Sequence, residues 1–92
     1  MSGRIARRLS IAGRVQGAGF RYWLRERAAA HGLSGWCRNT PDGRVSAVVA
    51  GPSDKVEALL AECRDGPPAA SVQEVVTDAA EDPGDTPFEI RR

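Results

Sequence analysis

No apolar run in this sequence approaches the roughly 20 residues that a membrane-spanning helix needs. The first thirteen residues likewise hold no apolar stretch long enough for a secretory signal, so a cytoplasmic location is expected. Cysteine is scarce. Cys37 and Cys63 lie 26 positions apart, form no C-x-x-C pair and have only His31 to join them at a metal. No metal site and no cofactor is expected, and both cysteines read as small buried thiols of a reducing compartment. Aromatic residues make up only 5% of the chain and no RRM-type strand motif is present. Phe20, Tyr22, Trp23 and Trp36 are therefore assigned to core or rim packing rather than to base stacking, and nucleic acid is not the expected partner. The sequence has no G-x-x-x-x-G-K-[ST], and the third glycine of a G-x-G-x-x-G starting at Gly17 would fall on Tyr22, which excludes both a nucleotide-triphosphate loop and a dinucleotide fingerprint. Glu81, Asp82 and Asp85 lack the spacing of a calcium loop and read as a solvated acidic segment.

What is present is enough for one domain, residues 1–92, because a chain of this length has room for one hydrophobic core. Hydrophobic residues at 41% and charged residues at 27% are ordinary globular usage. The net charge of +1 conceals a division. Positions 1–32 carry seven arginines (4, 7, 8, 14, 21, 25 and 27) against Glu26, while positions 52–92 carry ten acids against four bases. A basic N-terminal surface would attract anions such as phosphorylated small molecules or nucleic acid; a face solvated and balanced by its own acids is the plainer account.

Between Ile5 and Val15, Ile5, Leu9, Ile11 and Val15 fall on odd positions and mostly polar or small residues on even ones, the alternation of a half-buried strand. Gly13 to Gly19 interrupts it. Phe20, Leu24 and Ala28 then recur at helical spacing until Gly32 offers a C-cap. Leu33 to Thr40 and Arg44 to Ala50 are β-rich runs divided by Pro41-Asp42-Gly43, so a hairpin is expected. Gly51-Pro52-Ser53 opens a second helix with Val56, Leu59, Leu60 and Cys63 on one face and a capping box expected from Asp54 and Glu57. Gly66-Pro67-Pro68 stops it, Val72 to Thr77 reads as a strand, and Phe88 to Ile90 as a short terminal one. The order β-α-β-β-α-β with an added strand matches the α+β, ferredoxin-like split βαβ sandwich: an antiparallel sheet covered by two helices on one face. In that arrangement the loop after Val15 and the end of the second strand, near Asn39, emerge at the same sheet edge, about 10 Å apart across two strand spacings.

The turn Gly17-Ala18-Gly19, between a strand and a helix, lets the backbone bend sharply and bring several N–H groups together, as in phosphate-binding nests. Arg21 follows in the first helical turn, where the helix dipole disfavours a cation, and a bound anion would account for it. On spacing alone, a tight turn followed by a surface arginine stays open. His31, at a helix end, reads as structural.

Gly13-Arg-Val-Gln-Gly-Ala-Gly-Phe-Arg21-Tyr-Trp, then Gly32-Leu-Ser-Gly-Trp36-Cys-Arg-Asn39 and Pro41-Asp-Gly43, resembles the acylphosphatase family. Gly51-Pro52, Gly66-Pro67-Pro68 and Phe88-Glu-Ile-Arg91 extend the resemblance over nearly the whole chain. It implies a ferredoxin-like fold and hydrolysis of acyl phosphates to a carboxylate and inorganic phosphate, without a metal and by attack of water at phosphorus. It also implies a cradle of backbone amides from Gln16, Gly17, Ala18, Gly19, Phe20 and Arg21, completed by the Arg21 guanidinium, with Asn39 orienting the water. Inorganic phosphate or sulfate is the expected loop ligand, and a monomer the expected state. Ala18 stands where the family commonly has valine, which removes bulk but no donor. A carboxylate leaves without a general acid, so the lack of paired carboxylates or a Ser-His-Asp set fits this chemistry. A non-catalytic phosphate-binding module and a ferredoxin-like nucleic-acid-binding domain are the competing expectations.

Overall fold

The structure, a computed structural model, describes residues 3–92. The elements in chain order are β1 (Arg4–Arg14), α1 (Phe20–Ala30), β2 (Ser34–Asn39), β3 (Val45–Pro52), α2 (Ser53–Asp65), β4 (Ser71–Ala79) and β5 (Glu89–Ile90). The strands form one sheet in the order β4-β1-β3-β2-β5. β1 pairs antiparallel with β3 and β4, and β2 antiparallel with β3. These four strands give the antiparallel sheet expected. β5 joins it in parallel beside β2, with Trp36 opposite Glu89 and Cys37 opposite Ile90, so the sheet is mixed.

Alternation along the strands divides the sheet into two faces. Leu9 and Ile11 of β1, Cys37 of β2, and Val45, Ala47 and Val49 of β3 form one buried cluster with Phe20, Leu24 and Ala28 of α1 and Val56, Leu59, Leu60 and Cys63 of α2. Both helices therefore cover the same face, and the apolar stripes read from the sequence are the ones buried. Ser10, Ser46, Trp36 and Arg38 occupy positions of opposite parity, on the uncovered face.

The ends of the helices differ in how they are capped. Gly19, at φ 74° and ψ 16°, is the N-cap of α1, and Gly32 at φ 69° follows its last turn. The capping box expected from Asp54 and Glu57 does not form. The N-cap of α2 is Pro52, which has no side-chain oxygen to offer, and Asp54 sits inside the first turn, where its charge suits the helix dipole.

His31 has the structural place expected of it, as part of a clamp between helices. Its Nε2 lies 2.6 Å from Glu62 Oε2, while Arg27 Nε donates to Glu62 Oε1 at 2.5 Å. The acidic segment is not wholly solvated: Arg4 Nε donates to Asp82 Oδ2 at 2.5 Å, and this guanidinium holds the Asp82 carboxyl down at about 2. Among the described residues, no helix is long and apolar enough to cross a membrane.

Candidate active site

The site grows from the end of β1. A register irregularity between Ala12 and Gly13 bends this end of the strand, and Val15 is buried as the chain turns into the loop. Gly17 at φ 76° and Gly19 at φ 74° adopt positive φ while no non-glycine residue does among the described residues, so Ala18 between them keeps an ordinary backbone. Alternation of this kind turns successive N–H groups toward one side. At Gly19 the chain enters α1, and Trp23 N–H donates to Gly19 O at 3.0 Å as the first helical bond. The N–H groups of Phe20, Arg21 and Tyr22 precede the first residue able to bond within the helix, and they point out of its N-terminus. Loop and helix end together offer main-chain donors and a partial positive charge to one small volume.

That volume is a cleft of about 240 Å³ lined by Val15, Gly17, Gly19, Phe20, Arg21, Tyr22 and Asn39. It is far larger than the roughly 15 Å³ a single water requires, with room for a tetrahedral anion and a water. Asn39 reaches it by strand parity. It is the last residue of β2, two positions beyond Cys37 and on the same helix-facing side. Cys37 lies directly under the first turn of α1, its Sγ donating to Arg21 O at 3.9 Å. Arg21 and Asn39, 18 positions apart in sequence, thus face one cleft because β1 and β2 run parallel on either side of β3.

Two unsatisfied groups meet there. Asn39 Oδ1 is buried and has no hydrogen-bond partner, the one such side-chain atom among the described residues. A buried carbonyl left without any donor costs about 1–3 kcal/mol, so Asn39 Oδ1 is an acceptor available to a water or ligand in the cleft. The Arg21 guanidinium has no carboxylate within 4 Å among the described residues; of the arginines only Arg4, Arg27, Arg44 and Arg91 are ion-paired there.

The remaining loop residues divide. Gly17 and Gly19 line the cleft, and Ala18 does not. The Gln16 side chain turns away from it: Nε2 donates to Thr40 O and Arg44 O, both at 2.8 Å, pinning the loop to the turn of the β2–β3 hairpin. This tie was missed in the sequence, where a glutamine in a loop carries no sign of its partners. Tyr22 was also misread. Instead of packing in the core or at its rim, its ring is 59% exposed at the cleft mouth.

Cys37, so close to the site, is no nucleophile. Burial pushes its thiol up to about 11 against the opposing pull of Arg21 and Arg25, so it is protonated at neutral pH. Among the described residues there is no grouping of three His, Cys, Asp or Glu side chains suited to a metal. The donors of the cleft are amides and a guanidinium, which bind anions directly.

The molecule is thus an α+β sandwich of ferredoxin-like fold whose β1–α1 turn and β2 terminus bound a single cleft. The acylphosphatase family model matches residues 7–90, and the chain belongs to that family. It is 52% identical over 81 residues to an acylphosphatase of Rhizorhabdus wittichii, covering 88% of this chain and 80% of the relative. Over 84 residues it is 49% identical to an acylphosphatase of Acidiphilium cryptum, covering 91% of this chain and 92% of that one. The fold superposes on the crystal structure of an acylphosphatase from Bacillus subtilis with a TM-score of 0.91 at 30% identity, covering 96% of this chain and 99% of that chain.

Proposed function

We propose that this protein hydrolyses the carboxyl–phosphate bond of acyl phosphates by direct attack of water at phosphorus, with Arg21 and Asn39 as its catalytic residues and without a metal. The observation that carries the reading is the buried, unpartnered Asn39 Oδ1 in the same cleft as Arg21 and the two positive-φ glycines. The phosphoryl oxygens accept from the amides of residues 16–21 and from the Arg21 fork. Asn39 accepts a hydrogen bond from water through its carbonyl oxygen and aims the water's lone pair at phosphorus. A neutral amide is too weak a base to deprotonate that water, so its work is positional.

As the water oxygen bonds to phosphorus, the bond from phosphorus to the acyl oxygen breaks and its electron pair leaves with the carboxylate. The water's proton passes to a phosphoryl oxygen. Charge on the equatorial oxygens is stabilised by donors already in place, each worth roughly 3 kcal/mol, or about a hundredfold in rate. Inorganic phosphate, one product, occupies the same cradle. The reading includes one domain over residues 1–92, of which 1 and 2 lie outside the described residues, and a cytoplasmic monomer.

The test is release of phosphate from benzoyl phosphate, with and without chelator. Arg21→Ala abolishes turnover, and Asn39→Ala lowers kcat far more than it weakens phosphate binding. A fully active Asn39→Ala enzyme would refute the mechanism. Phosphate binding without any turnover would favour an anion-binding module instead.

A further inference from the structure

A second and larger cavity, about 430 Å³, opens beside the cradle and shares Arg21 and Tyr22 with it. Its other walls are Arg25, Ile90 and Arg92. The chain brings these residues together by two routes. Arg25 stands one helical turn beyond Arg21 on α1, with its guanidinium 5.3 Å from the centre of the exposed Tyr22 ring. The terminal strand supplies the rest. Ile90 pairs opposite Cys37 and packs against the core, so it faces α1, whereas Arg91 sends its guanidinium to the other face, 4.9 Å over Trp36. Arg92, beyond the end of the strand, lines the same cavity as Arg25.

Three guanidinium groups thus surround one open volume, and none has a carboxylate partner within 4 Å among the described residues. Like charges gathered around a cavity repel one another, and an anion between them relieves that. The cradle already takes one anion at Arg21. Arg25 lies about 6 Å further along the helix axis, four residues at about 1.5 Å each.

We propose that Arg25 and Arg92 form an acyl-end subsite selecting acyl phosphates whose acyl group ends in a carboxylate, the monoacyl phosphates of short dicarboxylic acids. This rests on the hydrolytic reading above and names its substrate class. Five bonds separate phosphorus from the far carboxylate carbon of a four-carbon diacid, about 6 Å at roughly 1.2 Å per bond in an extended chain. Ile90 is an apolar wall for the carbons between. The Tyr22 ring, with Arg25 over it, lines both cavities.

The experiment compares fumaryl phosphate with crotonyl phosphate, which share a trans four-carbon backbone and differ in ending with a carboxylate or a methyl. The quantity read is the ratio of their kcat/KM values, normalised to the wild type so that intrinsic reactivity cancels. Arg25→Ala lowers the ratio about fivefold, the size expected of an exposed ion pair, and Arg25→Glu at least tenfold. Arg92→Ala lowers it in the same direction, and high salt shrinks the wild-type preference. Lys55→Glu, an equal charge reversal at the far end of the sheet, leaves the ratio unchanged. An unchanged ratio in Arg25→Glu, or an equal fall in Lys55→Glu, overturns the subsite. Absence of turnover of both fumaryl and crotonyl phosphate by the wild type would overturn the hydrolytic reading and this one with it.

Discussion

Replacing Gln16 by alanine tests whether the cradle works because it is tied to the hairpin that carries Asn39. The substitution removes two hydrogen bonds of 2.8 Å, from Gln16 Nε2 to Thr40 O and to Arg44 O. Neither carbonyl is orphaned, because Thr40 O still accepts from Gly43 N–H at 3.1 Å and Arg44 O from Thr40 N–H at 2.9 Å. The loss is therefore that of two ordinary bonds in a half-buried place, about 2 kcal/mol in all, without an added penalty for stranded acceptors. For a chain of this size that lowers Tm by about 8–16 °C. The catalytic effect has a different source. Once untied, the loop and Asn39 lose their fixed separation, and a displacement of about 1 Å between reacting groups costs on the order of a hundredfold in rate. The cradle itself keeps its donors, so kcat falls at least tenfold while KM changes less than threefold. Gln16→Glu is worse at neutral pH, since a carboxylate faces two carbonyl oxygens with nothing to donate, and it recovers toward the alanine variant as acid protonates it. Thermal melts and steady-state kinetics on benzoyl phosphate decide the matter. A Gln16→Ala enzyme with kcat within twofold of wild type, despite the fall in Tm, would refute the reasoning.

Other consequences can be measured separately. Hydrogen bonds from Arg27 and then His31 hold the Glu62 carboxyl below its ordinary value of 4.5. The unfolded chain therefore takes up this proton first, and stability present above about pH 4.5 is lost as pH falls through the lower folded value. Urea midpoints of wild type and Glu62→Gln accordingly differ at pH 7 and draw together as pH falls below the ordinary carboxylate value; a constant difference would deny the clamp any role. Burial raises Cys37 to about 11 and Cys63 to about 12, from an ordinary 9.0. Both thiols resist a disulfide reagent in the native protein at pH 8 and react at once in urea, and folding stability declines above pH 9, where only the unfolded chain ionises. Rapid native labelling would contradict their burial. Gly19→Ala meets no atom within 4 Å of its new Cβ but must hold φ near 74°, a backbone cost of about 1–2 kcal/mol read as a lower urea midpoint. An unchanged midpoint would show that the loop relaxes away from this conformation.

Apolar periodicity marks which segments are strands and helices, because burying an apolar face imposes a period of two or of 3.6 on any chain that forms one. Leu9 and Ile11 alternate, Val56, Leu59, Leu60 and Cys63 recur by helical turns, and all are buried. Glycine is equally legible, since a backbone at φ 74° before a helix tolerates little else, so Gly17 and Gly19 mark the tight turn that leads into α1. The ends of α2 were less so: a capping box depends on which residue becomes the N-cap, and a shift to Pro52 removed it. Only the tertiary structure decided what meets across the fold. The turn of Gln16 toward Thr40 and Arg44, the exposure of Tyr22, the buried carbonyl of Asn39 and the parallel docking of β5 that brings Arg92 beside Arg25 all follow from how segments distant in sequence pack together. Periodicity encodes the face a residue presents to the core, whereas the partner it finds there depends on strand order and register, which no local pattern contains.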